Sequence, residues 1–394
     1  MKAHKIRLNP TSEQAQYFWQ AAGVARFAFN WALAEYNRRE AEGQKVKIRG
    51  KGPCLIKDFV SLKSEQFPWV GDVTSYAYQG AFADLEKAIS NYFSRKKNSP
   101  PSDWKPRKDG KPFGWPRFKS RDKAIPSFYL ANTCLKFDDH LAVISKCPGP
   151  VNMTEPLRFN GRVMGARVSY RSKHWWLSVY VEIEHIFPEH NTDVVGIDLG
   201  IKYLAVTSDG VIYDNPKALQ GAQRKLRRLQ RHLDRQSLKN DKGEILPARE
   251  QGKNWHKTQG QIGKLHFRIA NIRNEASHQM TTELARQYGI IGIENLNVKG
   301  MMKNRRLSKA LNDAALYEKR RQLEYKATWN GGLVVPVGRW FASSKLCNSC
   351  GDINADLKLS DRQWTCLNCG ELNHRDGNAS KNIRDETIRI LTSK

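Results

Sequence analysis

Val194-Val195-Gly196-Ile197-Asp198 is the stretch on which the fold turns. A short apolar run of this kind reads as a strand buried on both faces, and it ends in a carboxylate. Two further strand-like runs follow, Tyr203-Leu204-Ala205-Val206 and Val211-Ile212-Tyr213, with Asp209-Gly210 as the turn between them. Two long helical stretches come next, near 217–238 and 258–287. The first carries Leu219, Leu226, Leu229 and Leu233 at near-heptad spacing, with Arg224, Lys225, Arg227, Arg228, Arg231 and Arg235 elsewhere. The second carries Ile262, Leu265, Ile269 and Ile272, so the pattern predicts paired antiparallel helices with a basic outer face. Ile290-Ile291-Gly292-Ile293 is another strand and ends in Glu294. A helix near 308–328, a strand at Leu333-Val334-Val335 and a final helix after Asp376 complete the chain.

The order is strand–strand–strand–helix–strand–helix–strand, then helix, which is the order of the ribonuclease-H-like fold. In that fold the first and fourth strands are neighbours and their C-terminal ends converge. Asp198, Glu294 and the helix-start Asp376 then meet at one edge, where carboxylates can share Mg²⁺, a cation that prefers oxygen ligands. A pair of such ions can activate a water and stabilise the leaving oxygen of a phosphodiester. Taken singly, each acid has a plainer reading, a strand-end residue or a helix cap.

Cys347, Cys350, Cys366 and Cys369 form two C-x2-C pairs separated by fifteen residues, the spacing of a closed, structural zinc site with four thiolate ligands. Cys54, Cys134 and Cys147 are scattered, so the odd total of seven reads as a reducing cytosol rather than a disulfide framework. Lys345 and Arg362 stand near enough in sequence to offset the negative charge of a zinc thiolate centre. His374 reads as part of the turn at Arg375-Asp376 rather than as a further ligand.

Upstream, Lys5-Ile6-Arg7-Leu8 is strand-like, and Thr11 with Gln14 forms a capping box that opens a helix through about Tyr36. A second helix is predicted over 73–94, with Tyr78, Phe82, Leu85, Ile89 and Phe93 as its core stripe. Between 128 and 187 the period falls to two. Leu135 to Ile144 reads as one hairpin, and residues 167–183 form another around Arg171-Ser172-Lys173. These strands predict a small antiparallel barrel that the strand at 5–8 completes, with the helices as an insertion. Residues 95–123 hold eleven Lys or Arg against Asp103, Asp109 and Asp122, interleaved with Trp104, Phe113, Trp115 and Phe118. Cations neutralise phosphates and aromatic faces stack on bases. Composition alone leaves this segment open between nucleic-acid contact and a solvated basic linker.

The whole chain is 394 residues with a net charge of +27 on an ordinary globular composition, 40% hydrophobic and 10% aromatic. That excess points to a polyanionic partner, nucleic acid before acidic membrane surface, and argues against a small-molecule metabolic enzyme. No apolar run approaches the roughly 18 residues of a membrane span, and no apolar segment follows Met1-Lys2-Ala3-His4-Lys5. The expected location is the prokaryotic cytosol.

Several motifs together resemble the TnpB family of insertion-sequence proteins. They are Val195-Gly196-Ile197-Asp198-Leu199-Gly200, the run from Ile293-Glu294-Asn295 to Met301, Arg339-Trp340-Phe341-Ala342-Ser343-Ser344-Lys345, both C-x2-C-G turns, and Arg375-Asp376-Gly377-Asn378-Ala379. The N-terminal helix and Gly114-Trp115-Pro116-Arg117-Phe118-Lys119 extend the likeness over nearly the whole chain. The resemblance implies an RNA-guided DNA endonuclease, related to the type V CRISPR effectors, that cuts double-stranded target DNA beside a short adjacent motif. Its guide RNA would come from the non-coding end of the element, with the protein monomeric on that RNA. The resemblance also implies a multidomain α/β architecture. A wedge-like β-barrel would occupy 1–9 and 124–190, a helical recognition lobe 10–123, a RuvC-like nuclease domain 191–342 and 371–394, and a zinc-ribbon lobe 343–370.

Carried over by residue, Asp198, Glu294 and Asp376 match the Mg²⁺ carboxylates, and Cys347, Cys350, Cys366 and Cys369 match the Zn²⁺ ligands. Tyr76 and Gln79 fall on the helix that helps read the adjacent motif. Arg227, Arg228, Arg231, Trp115, Arg117 and Lys119 are further candidates for nucleic-acid contact. Asn295 stands where many relatives have Asp, and Ser380 where Ala is common. A transposase on the same fold would order its acids Asp, Asp, Glu, whereas the order here is Asp, Glu, Asp. A sugar-kinase-type ATPase would need a second glycine-rich phosphate loop, and Gly331-Gly332 enters an apolar strand instead. A guided but non-cutting regulator would need a lost carboxylate.

Overall fold

The computed structural model describes residues 1–98, 112–184, 191–358 and 360–393, and the chain divides into two compact units, Met1–Glu184 and His185–Lys394. Trp104, Asp103 and Asp109 of the basic aromatic segment lie outside the described residues.

The first unit opens with β1 (Lys2–Asn9), whose alternate residues His4, Ile6 and Leu8 are buried, as a half-covered strand requires. The Thr11–Gln14 capping box is formed and starts α1 (Ser12–Ala41), which runs five residues past the expected end. Next come α2 (Leu55–Gln66) and α3 (Tyr76–Asn98). The sequence pattern missed α2, because only Leu55 and Phe59 of its twelve residues are buried and lysines interrupt the stripe. The strands β2 (Ser127–Ala131), β3 (Leu135–Asp138), β4 (Leu141–Ile144), β5 (Val151–Met153), β6 (Arg162–Arg171) and β7 (His174–Glu182) join β1 in one antiparallel sheet. Its order is β2-β6-β7-β1-β5-β4-β3, so β1 lies near the centre.

The edge strands β2 and β3 are consecutive in the chain, joined only by the single turn Asn132–Cys134. Four Cα–Cα steps reach at most about 15 Å. Seven strands laid flat at roughly 4.8 Å would separate those edges by about 29 Å. The sheet is therefore rolled, and the register shift at Val163/Gly165 in β6 bends it further. The helices do not have a core of their own. Phe18 of α1 packs tilted against Phe128 of β2 and edge-on against Trp175 of β7, with ring centroids 5.9 and 5.1 Å apart. Gly80 of α3 lies so close to β2 that a Cβ there would sit 2.5 Å from Tyr129 Cβ. Asp84 of α3 accepts both Arg167 amines of β6 at 2.8 and 2.9 Å.

In the second unit the strands are β8 (Val194–Asp198), β9 (Tyr203–Thr207) and β10 (Ile212–Asp214). The paired helices α4 (Ala218–Gln236) and α5 (Lys253–Gln287) then lead into β11 (Ile290–Ile293). A short α6 (Val298–Met301) follows, and the single helix expected over 308–328 is two, α7 (Ser308–Ala314) and α8 (Leu316–Trp329). The break is Ala315, held at φ +50°, a left-handed conformation that no helix can carry through. Then come β12 (Leu333–Pro336), the cysteine module with β13 (Gln363–Thr365) and β14 (Leu372–His374), and α9 (Arg375–Thr392). The five-stranded sheet runs β10-β9-β8-β11-β12, antiparallel on the β8–β10 side and parallel from β8 to β12. The first and fourth strands are thus parallel neighbours, with Gly196 opposite Gly292 and Ile197 opposite Ile293.

That glycine pair makes the slot for α9. A Cβ on Gly196 would meet the Ser380 carbonyl oxygen at 2.0 Å and the Arg384 amide at 2.3 Å. One on Gly292 would meet Thr387 Oγ1 at 2.1 Å. Gly196 faces backbone, which cannot step aside, whereas Gly292 faces a side chain. Gly196→Ala should therefore lower the unfolding free energy read from urea denaturation by the larger amount, on the order of 3 kcal/mol of overpacking. Gly292→Ala should cost less and recover in part when combined with Thr387→Ala.

Candidate functional site

Two groups of chemistry-bearing side chains meet at the start of α9. Asp198 ends β8 and Glu294 directly follows β11, and the parallel register of those strands brings the two residues side by side. Asp376 lies in the first turn of α9, where the helix dipole favours a negative charge. All three are half-buried. Burial pushes the Asp198 carboxyl up to about 8, and the nearby charges of Glu294 and Asp376 push in the same direction. The structure thus brings the three acids into one electrostatic cluster.

Two cations partly oppose that repulsion, Arg375 and the fully buried Lys319 of α8. Lys319 Nζ donates to the Leu204 carbonyl at 2.7 Å, and burial pushes its pKa down to about 7. Sequence reasoning missed Lys319, because a lysine on a mixed helix carries no local sign that it faces inward. Asn295, the departure noted next to Glu294, accepts a hydrogen bond from Arg320 at 3.2 Å.

The cluster opens on two grooves. The one beside Asp376, of about 670 Å³, includes Lys202, Arg362, Arg375 and Lys381 in its lining. The one beside Glu294, of about 250 Å³, includes Lys299, Tyr317, Arg320 and Arg339. Next to it Trp340 is 92% exposed. Basic walls with exposed aromatic rings suit a strand of nucleic acid.

The second group is the cysteine module. Cys347, Cys350, Cys366 and Cys369 place their sulfurs within 4.8 Å of one another, the one such group of three or more Cys, His, Asp or Glu among the described residues. The pairs Cys347–Cys369 and Cys350–Cys366 stand at 3.7 and 3.6 Å. Tetrahedral ligands about 2.3 Å from a zinc ion would stand roughly 3.8 Å apart, so the donor set fits Zn²⁺. Each C-x2-C pair, Cys347–Cys350 and Cys366–Cys369, sits on its own turn of the same kind. The Gly351 amide bonds the Cys347 carbonyl and the Gly370 amide the Cys366 carbonyl, each at 2.9 Å, with φ +78° and +76° that glycine alone adopts freely.

Arg362 does not offset the thiolates as its sequence position suggested. Its guanidinium reaches Asp376 at 3.4 Å, because β13 pairs with β14 and carries it to the start of α9. Lys345 donates to the Ala355 carbonyl. His374 lies on β14 beside Gln363, outside the sulfur cluster.

The remaining candidates divide by exposure. Arg227, Arg228 and Arg231 are exposed on α4, opposite the buried Leu226 and Leu229. In the first unit Arg117, Phe113 and Phe118 are exposed. Trp115 is not on that surface. It is 7% exposed, packs against Tyr36 and Tyr92 at 5.9 and 4.9 Å, and donates Nε1–H to Asn37. Lys119 is also turned inward, with Nζ over the Phe29 ring at 3.8 Å and its backbone clasped by Asn30. Burying an indole gains more than stacking it at a surface, so the segment is anchored through Trp115 and Lys119. Tyr76 and Gln79 lie half-buried in the first turn of α3. The Tyr76 hydroxyl accepts from Thr133, and Gln79 borders a shallow cavity against α2.

No helix among the described residues is long and apolar enough to cross a membrane. Three family models match the chain: "Probable transposase" over residues 178–305, "Cas12f1-like, TNB domain" over 317–383, and "Helix-turn-helix domain" over 1–45. The last span holds β1 and the single helix α1. The chain is 30% identical to a "Putative RNA-guided DNA endonuclease" of Streptomyces pristinaespiralis, over 97% of this chain and 88% of that one. It is also 30% identical to the "Putative RNA-guided DNA endonuclease InsQ" of Escherichia coli K12, over 97% and 91%. A solved Cas12f1–sgRNA–target DNA complex aligns over 98% of both chains at 16% identity with a TM-score of 0.35. On the identity to those relatives over 97% of the chain, with family models matching residues 178–305 and 1–45, the chain belongs to the TnpB/IS605 OrfB family.

Proposed function

We propose that this protein is an RNA-guided DNA endonuclease. It would cut target DNA beside a short adjacent motif, by Mg²⁺-dependent hydrolysis at Asp198, Glu294 and Asp376. The observation that carries the reading is the electrostatic coupling of these three carboxylates at two adjacent parallel strand ends and a helix start. The reading treats the second unit as a ribonuclease-H-like (RuvC) domain interrupted by a zinc ribbon. It treats the rolled sheet of the first unit as a wedge-like barrel with an inserted helical lobe.

The donor set suits the proposed metal. Three carboxylates are hard oxygen ligands, and the upward push on Asp198 is the penalty that a bound cation would relieve. The three acids are drawn together less tightly than the four cysteines, whose ligand atoms all lie within 4.8 Å of one another. When bound, Mg²⁺ supplies an activated water and a counter-charge for the leaving oxygen. The chain's own groups do the rest. Lys202, Arg362, Arg375 and Lys381 on one side, with Lys299, Arg320 and Arg339 on the other, hold the substrate backbone across the acids. Tyr317 and Trp340 offer rings on which bases can stack. Exposed Arg227, Arg228 and Arg231 contact phosphates of the guide RNA or its heteroduplex, and in this reading Tyr76 and Gln79 face the adjacent motif.

Asp198→Ala, Glu294→Ala and Asp376→Ala should each abolish plasmid cleavage while guide-dependent DNA binding survives. Cleavage at the wild-type rate by any one of them would refute the assignment. Elemental analysis should find about one zinc per chain, and Cys347→Ser or Cys369→Ser should lower both zinc content and soluble yield. Rewriting only the guide segment of the co-purified RNA should redirect cutting to the new complementary site if the adjacent motif is kept. Cutting that stays at the old site, or proceeds without RNA, would point instead to a protein-read nuclease.

A further inference from the structure

Between β12 and the first cysteine turn the chain passes through residues 343–346, which belong to no helix or strand. The backbone carbonyls of Ser343 and Leu346 are satisfied from α9. Asn382, 3% exposed, donates from Nδ2 to the Ser343 carbonyl at 2.7 Å and the Leu346 carbonyl at 2.6 Å. One turn earlier, Asn378 donates to the same Leu346 carbonyl at 2.6 Å and accepts the Asn348 amide at 2.9 Å. Asn348, inside the Cys347–Cys350 turn, returns its own Nδ2 to Asn382 at 3.1 Å and to Asp385 at 2.7 Å. Asn378, Asn382 and Asp385 recur at the spacing of one helix face, so a single face of α9 grips the entry to the cysteine module.

The grip extends to the carboxylate cluster. Ser343, 4% exposed, donates its hydroxyl to Glu294 Oε1. Among the described residues no donor is bonded to Glu294 Oε2. One carboxylate oxygen is therefore held and the other left available, which is how a neighbouring hydroxyl orients a ligand for a metal ion. Asn382 fixes the Ser343 backbone, and Ser343 fixes Glu294.

We propose that Ser343 and Asn382 are positioning residues for the carboxylate cluster, with Asn382 seating the 343–346 turn on α9 and the Ser343 hydroxyl holding Glu294 in its ion-receiving orientation. This inference rests on the metal-dependent reading of the cluster. It adds that the cysteine module and the cluster are assembled through one helix face, so the module does more than stabilise a separate lobe.

The test uses Mn²⁺ binding to the full chain with its co-purified RNA, with free Mn²⁺ read from its electron paramagnetic resonance signal. The difference between wild type and Asp198→Ala isolates the sites on the cluster. Ser343→Ala should weaken that component about ten-fold or more. Zinc content and melting temperature should stay near wild type, and Ser343→Thr, which keeps the hydroxyl, should restore binding. Asn382→Ala should weaken Mn²⁺ binding similarly while zinc is retained. Wild-type Mn²⁺ affinity in Ser343→Ala would overturn the role of Ser343. Joint loss of zinc and Mn²⁺ in Asn382→Ala, with Ser343→Ala unaffected, would reduce both residues to structural parts. Equal Mn²⁺ binding by wild type and Asp198→Ala would instead defeat the metal reading itself, and this inference with it.

Discussion

The second unit depends on one close approach, that of α9 to β8 and β11 across the facing pair Gly196 and Gly292. No other residue could stand at Gly196 without moving a helix backbone. Because α9 lies flat on those two strands, its first turn brings Asp376 to the place where β8 and β11 end in their own carboxylates. The same helix presents Asn378 and Asn382 to the entry of the cysteine module. The module returns to it directly, since β14 runs into α9 without a loop. Two packing glycines thus decide how acids and cysteines from distant parts of the chain come to share one neighbourhood.

Charge is arranged around that neighbourhood in layers. Burial, with the repulsion of Glu294 and Asp376 added to it, raises Asp198 far above the ordinary carboxylate range. Lys319 and Arg375 offset part of this, and Arg362 pairs with Asp376. Farther out, the charged residues lining the grooves are mostly cations, and α4 turns Arg227, Arg228 and Arg231 outward. An acidic centre in a chain of net charge +27 would repel a polyanion at close range, while the surrounding field attracts it from a distance. Divalent ions on the acids would reverse the short-range sign.

The first unit is held differently. Its helices and rolled sheet share one core through Phe18, Phe128 and Trp175, so the helical region is not an independently packed lobe among the described residues. Trp115 and Lys119 pin the 112–123 segment to α1, which leaves Arg117, Phe113 and Phe118 as the part of that motif available to a partner.

Much of this was legible in the residues alone. Strand order, the carboxylates at the C-terminal ends of β8 and β11, the capping box of α1 and the two C-x2-C-G turns are local patterns. Period, covalent spacing and turn chemistry are written within a few residues of one another. What the tertiary structure alone decided concerns partners far apart in sequence. It sent Arg362 to Asp376 rather than to the thiolates, buried Trp115 and Lys119, hid Lys319 under Asp198, and broke the 308–328 helix at Ala315. A side chain's type and spacing state which face of an element it occupies. Which surface that face meets is set by long-range packing, and no local pattern records it.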